Sequence, residues 1–217
     1  MDNETLSKEG APVKGTRARQ KAATRARILQ CALDAFAEKG FDGTSVRDIA
    51  AAAGVNHGLI RHHFIDKDNL WKAAVDFLFA RLEKEMEPAP GDIESTGLEG
   101  LKNWIRRYVR YCARHPEHAR IMVQESISDS DRLKWAVEKH IRPSHEQRLP
   151  TTQHLIRKGI YPDIDPVTMI YILVAAAQTV FVLGHEVREV HGIDVTSEEF
   201  INKHADGIIT LFFDHNA

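Results

Sequence analysis

The chain has 217 residues, 43% of them apolar and 28% charged, and a formal net charge of −2. This is the composition of a soluble globular protein with enough material for a sizeable core, and it excludes a disordered or fibrous chain. The two cysteines, Cys31 and Cys112, fall within apolar helical patterns and form no CxxC or Cys/His cluster, so buried free thiols in a reducing cytoplasm are expected.

The small net charge conceals an asymmetry. Residues 1–64 hold ten Lys/Arg against seven Asp/Glu, whereas the remainder holds nineteen against twenty-four. Lys14, Arg17, Arg19, Lys21, Arg25 and Arg27 follow one another without an acid between them. Such a run suits either a local contact with a polyanion or a solvated basic tail, and composition alone leaves both open.

Residues 1–15 are polar with Gly and Pro and carry no apolar run of the secretory type; they read as a disordered leader. From about Gln20 the pattern turns helical, with Ile28, Leu29, Ala32, Leu33 and Phe36 on one stripe. Gly40 is expected to end this helix in a left-handed cap, with Phe41 folding back onto Phe36. Ser45 and Asp48 stand in capping-box relation at the start of a short helix, Val46 to Ala53. Gly54 and Val55 follow, and Asn56 suits the N-cap of a third helix, His57 to Phe64. A fourth helix starts at Asp66 and is long enough to bridge two domains. Pro88 to Gly97 reads as a linker. Beyond it the periodicity predicts helices at about 98–114, 117–127, 130–159, 165–191 and 197–214, with Pro143 and Pro150 as breaks or kinks. No strand alternation occurs, so the fold class is all-α: a three-helix helix-turn-helix domain followed by a larger helical bundle.

Val167 to Gly184 is almost continuously apolar, yet barely long enough to span a bilayer and interrupted by Thr168, Gln178 and Thr179. A buried core or interface helix is the expected reading, with no membrane partner.

Function concentrates between Ser45 and Phe64, SVRDIAAAAGVNHGLIRHHF. For two short helices to cross steeply, with the second free to enter a major groove, a small residue is needed at the crossing, a positive-φ residue in the turn, and apolar residues to lock the angle. Ala50, Gly54, and the trio Ile49, Val55 and Ile60 supply these in order.

The stretch from about Thr24 to Leu82 resembles the N-terminal domain of the TetR (tetracycline-repressor-like) family. The matching residues are Ala32, Phe36, Gly40 and Phe41, then T-S-V-R-D-I-A, A-G-V, and G-L-I-R-H-H-F followed by D-K-D-N-L, a little over a quarter of the chain. The resemblance implies DNA contacts from Thr44, Ser45 and Arg47 before the turn. It implies further contacts from Asn56, His57, Gly58, Leu59, Arg61, His62 and His63 on the recognition helix, and from Lys67 at the next helix start. Arg61 stands where the family commonly has a tyrosine on the DNA backbone. On this reading residues 1–17 are a disordered basic leader, 18–68 the DNA-binding domain, and 69–217 the ligand-binding and dimerisation domain.

In the second domain Trp104, Tyr108 and Tyr111 share a helix face and, with Met122, Trp135 and Phe181, are the large side chains available to line a cavity for a hydrophobic or aromatic effector. The last two long helices are expected to form a four-helix dimer interface through Val174, Phe181, Gly184, Phe200, His204, Ile208 and Phe212. No catalytic motif, cofactor loop or metal site is indicated; His115, Glu117 and His118 read as an interhelical corner. The expected protein is therefore a ligand-relieved repressor, dimeric on roughly palindromic double-stranded operator DNA and cytoplasmic, on a prokaryotic-type nucleoid when bound. Its rivals are a helical small-molecule-binding or interaction protein with a vestigial helix-turn-helix, and an enzyme carrying a DNA-binding module.

Overall fold

The computed structural model describes residues 14–88 and 97–213. Most of the expected leader and linker lies outside them. The first helix, α1 (Lys14–Gly43), starts six residues before the expected Gln20, so Arg17, Arg19 and Lys21 are helical. It breaks at Gly40, whose φ of 70° and ψ of 177° fall in a region open essentially to glycine alone. That turn brings Phe41 back to stack on Phe36, with ring centroids 5.8 Å apart.

Helices α2 (Val46–Ala52) and α3 (His57–Phe64) form the expected pair. Ser45 caps α2 by accepting from the Arg47 N–H, and Asn56 caps α3 by accepting from the Leu59 N–H at 2.7 Å. Gly54, at φ +62°, makes the turn between them. A γ-turn centred on Ile65 (φ 65°, ψ −62°), closed by Asp66 N–H to Phe64 C=O at 2.7 Å, leads directly into α4 (Lys67–Met86).

Eight further segments complete the chain: α5 (Gly97–Arg114), α6 (Pro116–Ser128), α7 (Asp131–Ala136), a π-helical turn (Val137–Ile141), α8 (Arg142–Arg157), α9 (Pro166–Val182), α10 (Gly184–His191) and α11 (Glu198–Phe213). The described residues contain no strand. The expected helix at 130–159 is divided by the π-turn. Pro143, next to that turn, has no N–H to give and its ring crowds the carbonyl four residues back, so regular α-helical bonding cannot run through it. The expected helix at 165–191 is two helices bent by 65° around Leu183. At the bend the Gly184 backbone lies against Val195, so close that a Cβ would sit 2.9 Å from its Cγ2. Among the described residues no single helix is long and apolar enough to cross a membrane; α9 and α10 reach that length only together.

Two cores hold the molecule. The first joins α1, α2, α3 and α4 through Ile28, Leu33, Phe36, Ile49, Ile60, Leu70 and Trp71, but it also includes Ile121 of α6 and Ala136 of α7. The three-helix unit is thus sealed by the bundle behind it. The second core, between α5, α9 and α11, contains Ile105, Val109, Met169, Leu173, Ala177, Phe181, Ile208 and Phe212.

Candidate nucleic-acid interface and the cavity behind it

The amphipathic spacing of α3 decides which side chains it offers. Ile60 and Phe64 point inward and are buried, which leaves Asn56, Gly58, Arg61 and His62 exposed and His57, Leu59 and His63 half-buried along the outer face. Gly58 is in the first turn of α3; a Cβ there would meet Asn56 Oδ1 at 3.3 Å and disturb the capping contact. Arg47 on α2 is exposed beside this face, and Ser45 is half-buried in its capping role.

Basic groups flank α3 on both sides. A surface hollow of about 300 Å³ is shared by Arg17, Gln20, Lys21 and Thr24 of α1 with Leu59 and His63 of α3. A second, of about 290 Å³, joins Val46, His57 and Arg61 to Lys67. Lys67 sits over the Phe41 ring at 4.5 Å and donates to the Asp42 carbonyl at 3.4 Å, so its ammonium is held near the α1–α2 corner. Partial burial lowers the His63 pKa from its ordinary value, and the adjoining His62, Lys21 and Arg25 lower it further. Arg17 and Lys21 were absent from the residues chosen on the family pattern. The acid-free charge run was their signal in the sequence, but its helical continuation could not be read there.

Thr44 corrects an expectation. It is only 4% exposed, and its hydroxyl donates to the Ala35 and Gly40 carbonyls at 3.0 and 2.6 Å. Its side chain therefore clamps the broken end of α1 and offers no donor to a phosphate.

Behind the three-helix unit lies a cavity of about 670 Å³, walled by α4, α5, α6, α7, the π-turn, α8 and α9. Of the six expected lining residues, Tyr108 and Met122 face it. Trp104 is one layer back, stacked on Tyr108 at 5.3 Å. Tyr111 is buried beneath the wall. Trp135 belongs to the first core, edge-on to Trp71 at 6.0 Å, and Phe181 to the second. Sequence reasoning missed the polar lining: His118, His145, Arg148 and Gln178. Exposed Val123, Ile127 and Tyr171 mark the mouth.

The wall is wired to α1. Arg81 of α4 donates to Gln30 of α1 at 2.7 Å and to Glu117 of α6 at 2.6 Å, and its charge lies close to the Tyr111 hydroxyl. Tyr111 in turn contacts His118 Nδ1 at 2.8 Å. Burial, the largest influence, pushes the His118 pKa down to about 3, so the imidazole is neutral. Burial raises the Glu117 pKa, but hydrogen bonds from His115 and the backbone, with the Arg81 charge, outweigh that and hold it at about 2. A second tie runs from the π-turn to α4: His140 stacks on Phe79 at 4.4 Å and bonds Asp76 at 2.8 Å, and Lys139 pairs with the same Asp76 at 2.7 Å.

The expected dimer residues separate. Phe181, Ile208 and Phe212 are buried in the chain's own second core, Val174 lines the cavity, and Gly184 lies against Val195. Ile208 and Phe212 belong to the apolar stripe of α11 that is turned onto α5 and α9, while Val174 and Gly184 are half-buried. Phe200 and His204 remain half-buried at its edge, stacked at 5.9 Å, with His204 Nε2 bonded to the Ala176 carbonyl at 2.9 Å. Exposed positions on these helices are Gly207 and Leu211 on α11, Ile172 and Thr179 on α9, and Leu183 at the bend.

Comparisons with known proteins agree with this architecture. The family model for bacterial regulatory proteins of the tetR family matches residues 28–74, and that for the C-terminal region of YcdC-like proteins matches residues 82–216. The chain is 24% identical over 198 residues to the HTH-type transcriptional regulator RutR of Escherichia coli K12, covering 89% of this chain and 91% of that protein. Over 75 residues it is 48% identical to the HTH-type transcriptional repressor Rv3405c of Mycobacterium tuberculosis H37Rv, covering 34% of this chain and 40% of that protein. The crystal structure of HlyIIR, a hemolysin II transcriptional regulator, superposes with a TM-score of 0.59 at 24% identity, covering 89% of this chain and 99% of that one. With a helix-turn-helix matched at one end and more than half the chain matched at the other, this protein belongs to the TetR family of DNA-binding transcriptional regulators, with a C-terminal region of the YcdC-like type.

Proposed function

We propose that the protein is a homodimeric repressor that binds a roughly palindromic operator and releases it when a small molecule enters the 670 Å³ cavity. The observation that carries the DNA-binding part is the outer face of α3, polar and exposed, with Arg17 and Lys21 on one flank and Arg61 and Lys67 on the other. Side chains on that face read base edges, while the flanking cations and the α3 N-terminal N–H groups hold phosphates. Ser45, Arg47, Asn56, His57, Gly58, Leu59, His62 and His63 complete the surface, and Thr44 supports it from behind.

Two copies meeting along the exposed α9–α11 line would set two α3 helices into successive major grooves. Helix α4 is the lever. It begins at the γ-turn that ends α3 and carries Asp76, Phe79 and Arg81, the residues tied to the cavity wall. A ligand that favours a different wall arrangement shifts the headpieces, and by linkage DNA weakens ligand binding to the same extent. The relative names Rv3405c a repressor, which favours repression over activation here. Selection of bound duplexes from a random-sequence pool tests the reading. It is expected to yield an inverted repeat with half-site centres about one helical turn apart. Enrichment of no sequence over the starting pool would refute it.

A further inference from the structure

We propose that the effector is an amphipathic organic acid whose carboxylate is bound by Arg148, with its apolar body lying along α4, α6 and α9. This rests on the reading of the cavity as an effector site, and it assigns the chemistry of what enters.

The argument begins with what the wall lacks. Among the described residues no Asp or Glu lines the cavity. Arg148 does line it, yet no carboxylate among those residues is within ion-pair distance of its guanidinium. Its partner is instead the Trp104 ring, with the guanidinium carbon 4.9 Å from the ring centroid. Two other half-buried arginines are paired with acids, Arg81 with Glu117 at 2.6 Å and Arg132 with Glu125 at 3.1 Å, and a third, Arg120, donates to the Val182 carbonyl at 3.3 Å. An arginine keeps its charge at any physiological pH, and a partly desolvated guanidinium without a counterion is a costly arrangement that an incoming anion relieves. The aromatic face fixes the guanidinium plane and leaves its N–H fork free for a planar carboxylate.

Two neutral groups add direction. His118 Nε2 and the Gln178 amide both belong to cavity-lining side chains and have no hydrogen-bond partner among the described residues. The Gln178 amide, and His118 in the tautomer with its proton on Nε2, can donate to carboxylate oxygens or to a second polar group further along the ligand. Besides His145, Ser126, Ser144 and the two tyrosines Tyr108 and Tyr171, the rest of the lining is apolar, with Phe79, Leu82, Met122, Ile141, Ile170 and Val174 prominent. This surface disfavours a small inorganic anion, whose hydration it cannot replace, and favours an acid with a hydrocarbon or aromatic body.

Two matched series on the full-length protein test this: decanoate, decanol and decylammonium, and naphthoate with naphthalenemethanol. Direct binding is measured by calorimetry, and release of operator DNA by fluorescence anisotropy. In at least one series the acid is expected to bind more than tenfold more tightly than its neutral counterpart, and decylammonium not at all. Arg148→Met is expected to abolish the preference for the acid while leaving alcohol affinity within about twofold, and Arg148→Lys to retain part of it. A melting temperature near that of the parent shows that each variant is folded. Equal binding and release by acid and alcohol would overturn the anion assignment while leaving the effector cavity standing. Binding of none of the five would overturn both. A preference for acid that survives in Arg148→Met would remove Arg148 from the site and the proposal with it.

Discussion

Lowering the pH from about 7 to about 5 protonates His118 in the unfolded chain but not in the folded one. In the fold, burial holds its pKa at about 3, against an ordinary value of 6.5. A histidine whose folded pKa is depressed stabilises the fold above its unfolded pKa, and that stability is lost as pH falls below it. Each pH unit below about 6.5 costs about 1.4 kcal/mol, so the loss between pH 7 and 5 is about 2 kcal/mol. Any folded value below about 4 gives the same figure, because only the unfolded state titrates in this window. For a chain of this length that corresponds to a fall in melting temperature of about 4–8 °C. Glu117 adds nothing here: its value of about 2 makes its contribution disappear only as pH falls below its ordinary 4.5. His63 and His145, also held low by burial, act in the same direction as His118, so the variant comparison is needed to isolate it. Urea unfolding of the parent and of His118→Gln at both pH values gives the number directly. The parent should lose about 2 kcal/mol more than the variant over this interval. If the two lose equal stability, His118 is not the neutral buried group on which the cavity wiring depends.

Four further outcomes follow from the same geometry. Arg61→Ala should weaken operator binding more than tenfold, and unchanged affinity in a gel-shift titration would remove it from the interface. Replacing Arg17 and Lys21 together by Ala should weaken binding to operator and scrambled DNA alike and lower the slope of log affinity against log salt by about 2, since each phosphate contact accounts for nearly one unit. Thr44→Val should cost about 1–2 kcal/mol in urea unfolding, because the carbonyls of Ala35 and Gly40 lose their donor. Leu211→Glu, on the exposed line of α11, should shift the protein from dimer to monomer in sedimentation velocity. An undiminished dimer would place the interface elsewhere.

The helix-turn-helix was legible because its determinants are local. Gly54 in the turn, Ala50 at the crossing, and Ser45 and Asn56 as caps each act within a few residues of their own position. Thr44 misled for the opposite reason: its hydroxyl is committed to Ala35, nine positions away, and no spacing rule announces that bond. In the cavity, selecting residues by aromatic size found Tyr108 but took in Trp135 and Phe181, which packing assigns to two different cores. Which residues line a space enclosed by helices α4 to α9 depends on how those helices meet, so Arg148, His118 and Gln178 gave no sequence signal. The dimer reading took the last helices as apolar from their periodicity, which does not separate the part of α11 turned into the chain's own core from the part left exposed. Ile208 and Phe212 fill the chain's own core, whereas Gly207 and Leu211 of the same helix are exposed. The break at Leu183 coincides with the close approach of Val195 to Gly184, again a contact across the fold.

The most direct test of the central claim is fluorescence anisotropy of the purified protein with the DNA flanking its own gene, at several salt concentrations, against scrambled competitor. Binding that prefers the flanking DNA by about a thousandfold or more and weakens steeply with salt is the expected result. Equal affinity for flanking and scrambled DNA, with no sequence enriched by selection either, would contradict it and leave α3 as a helix that no longer reads DNA.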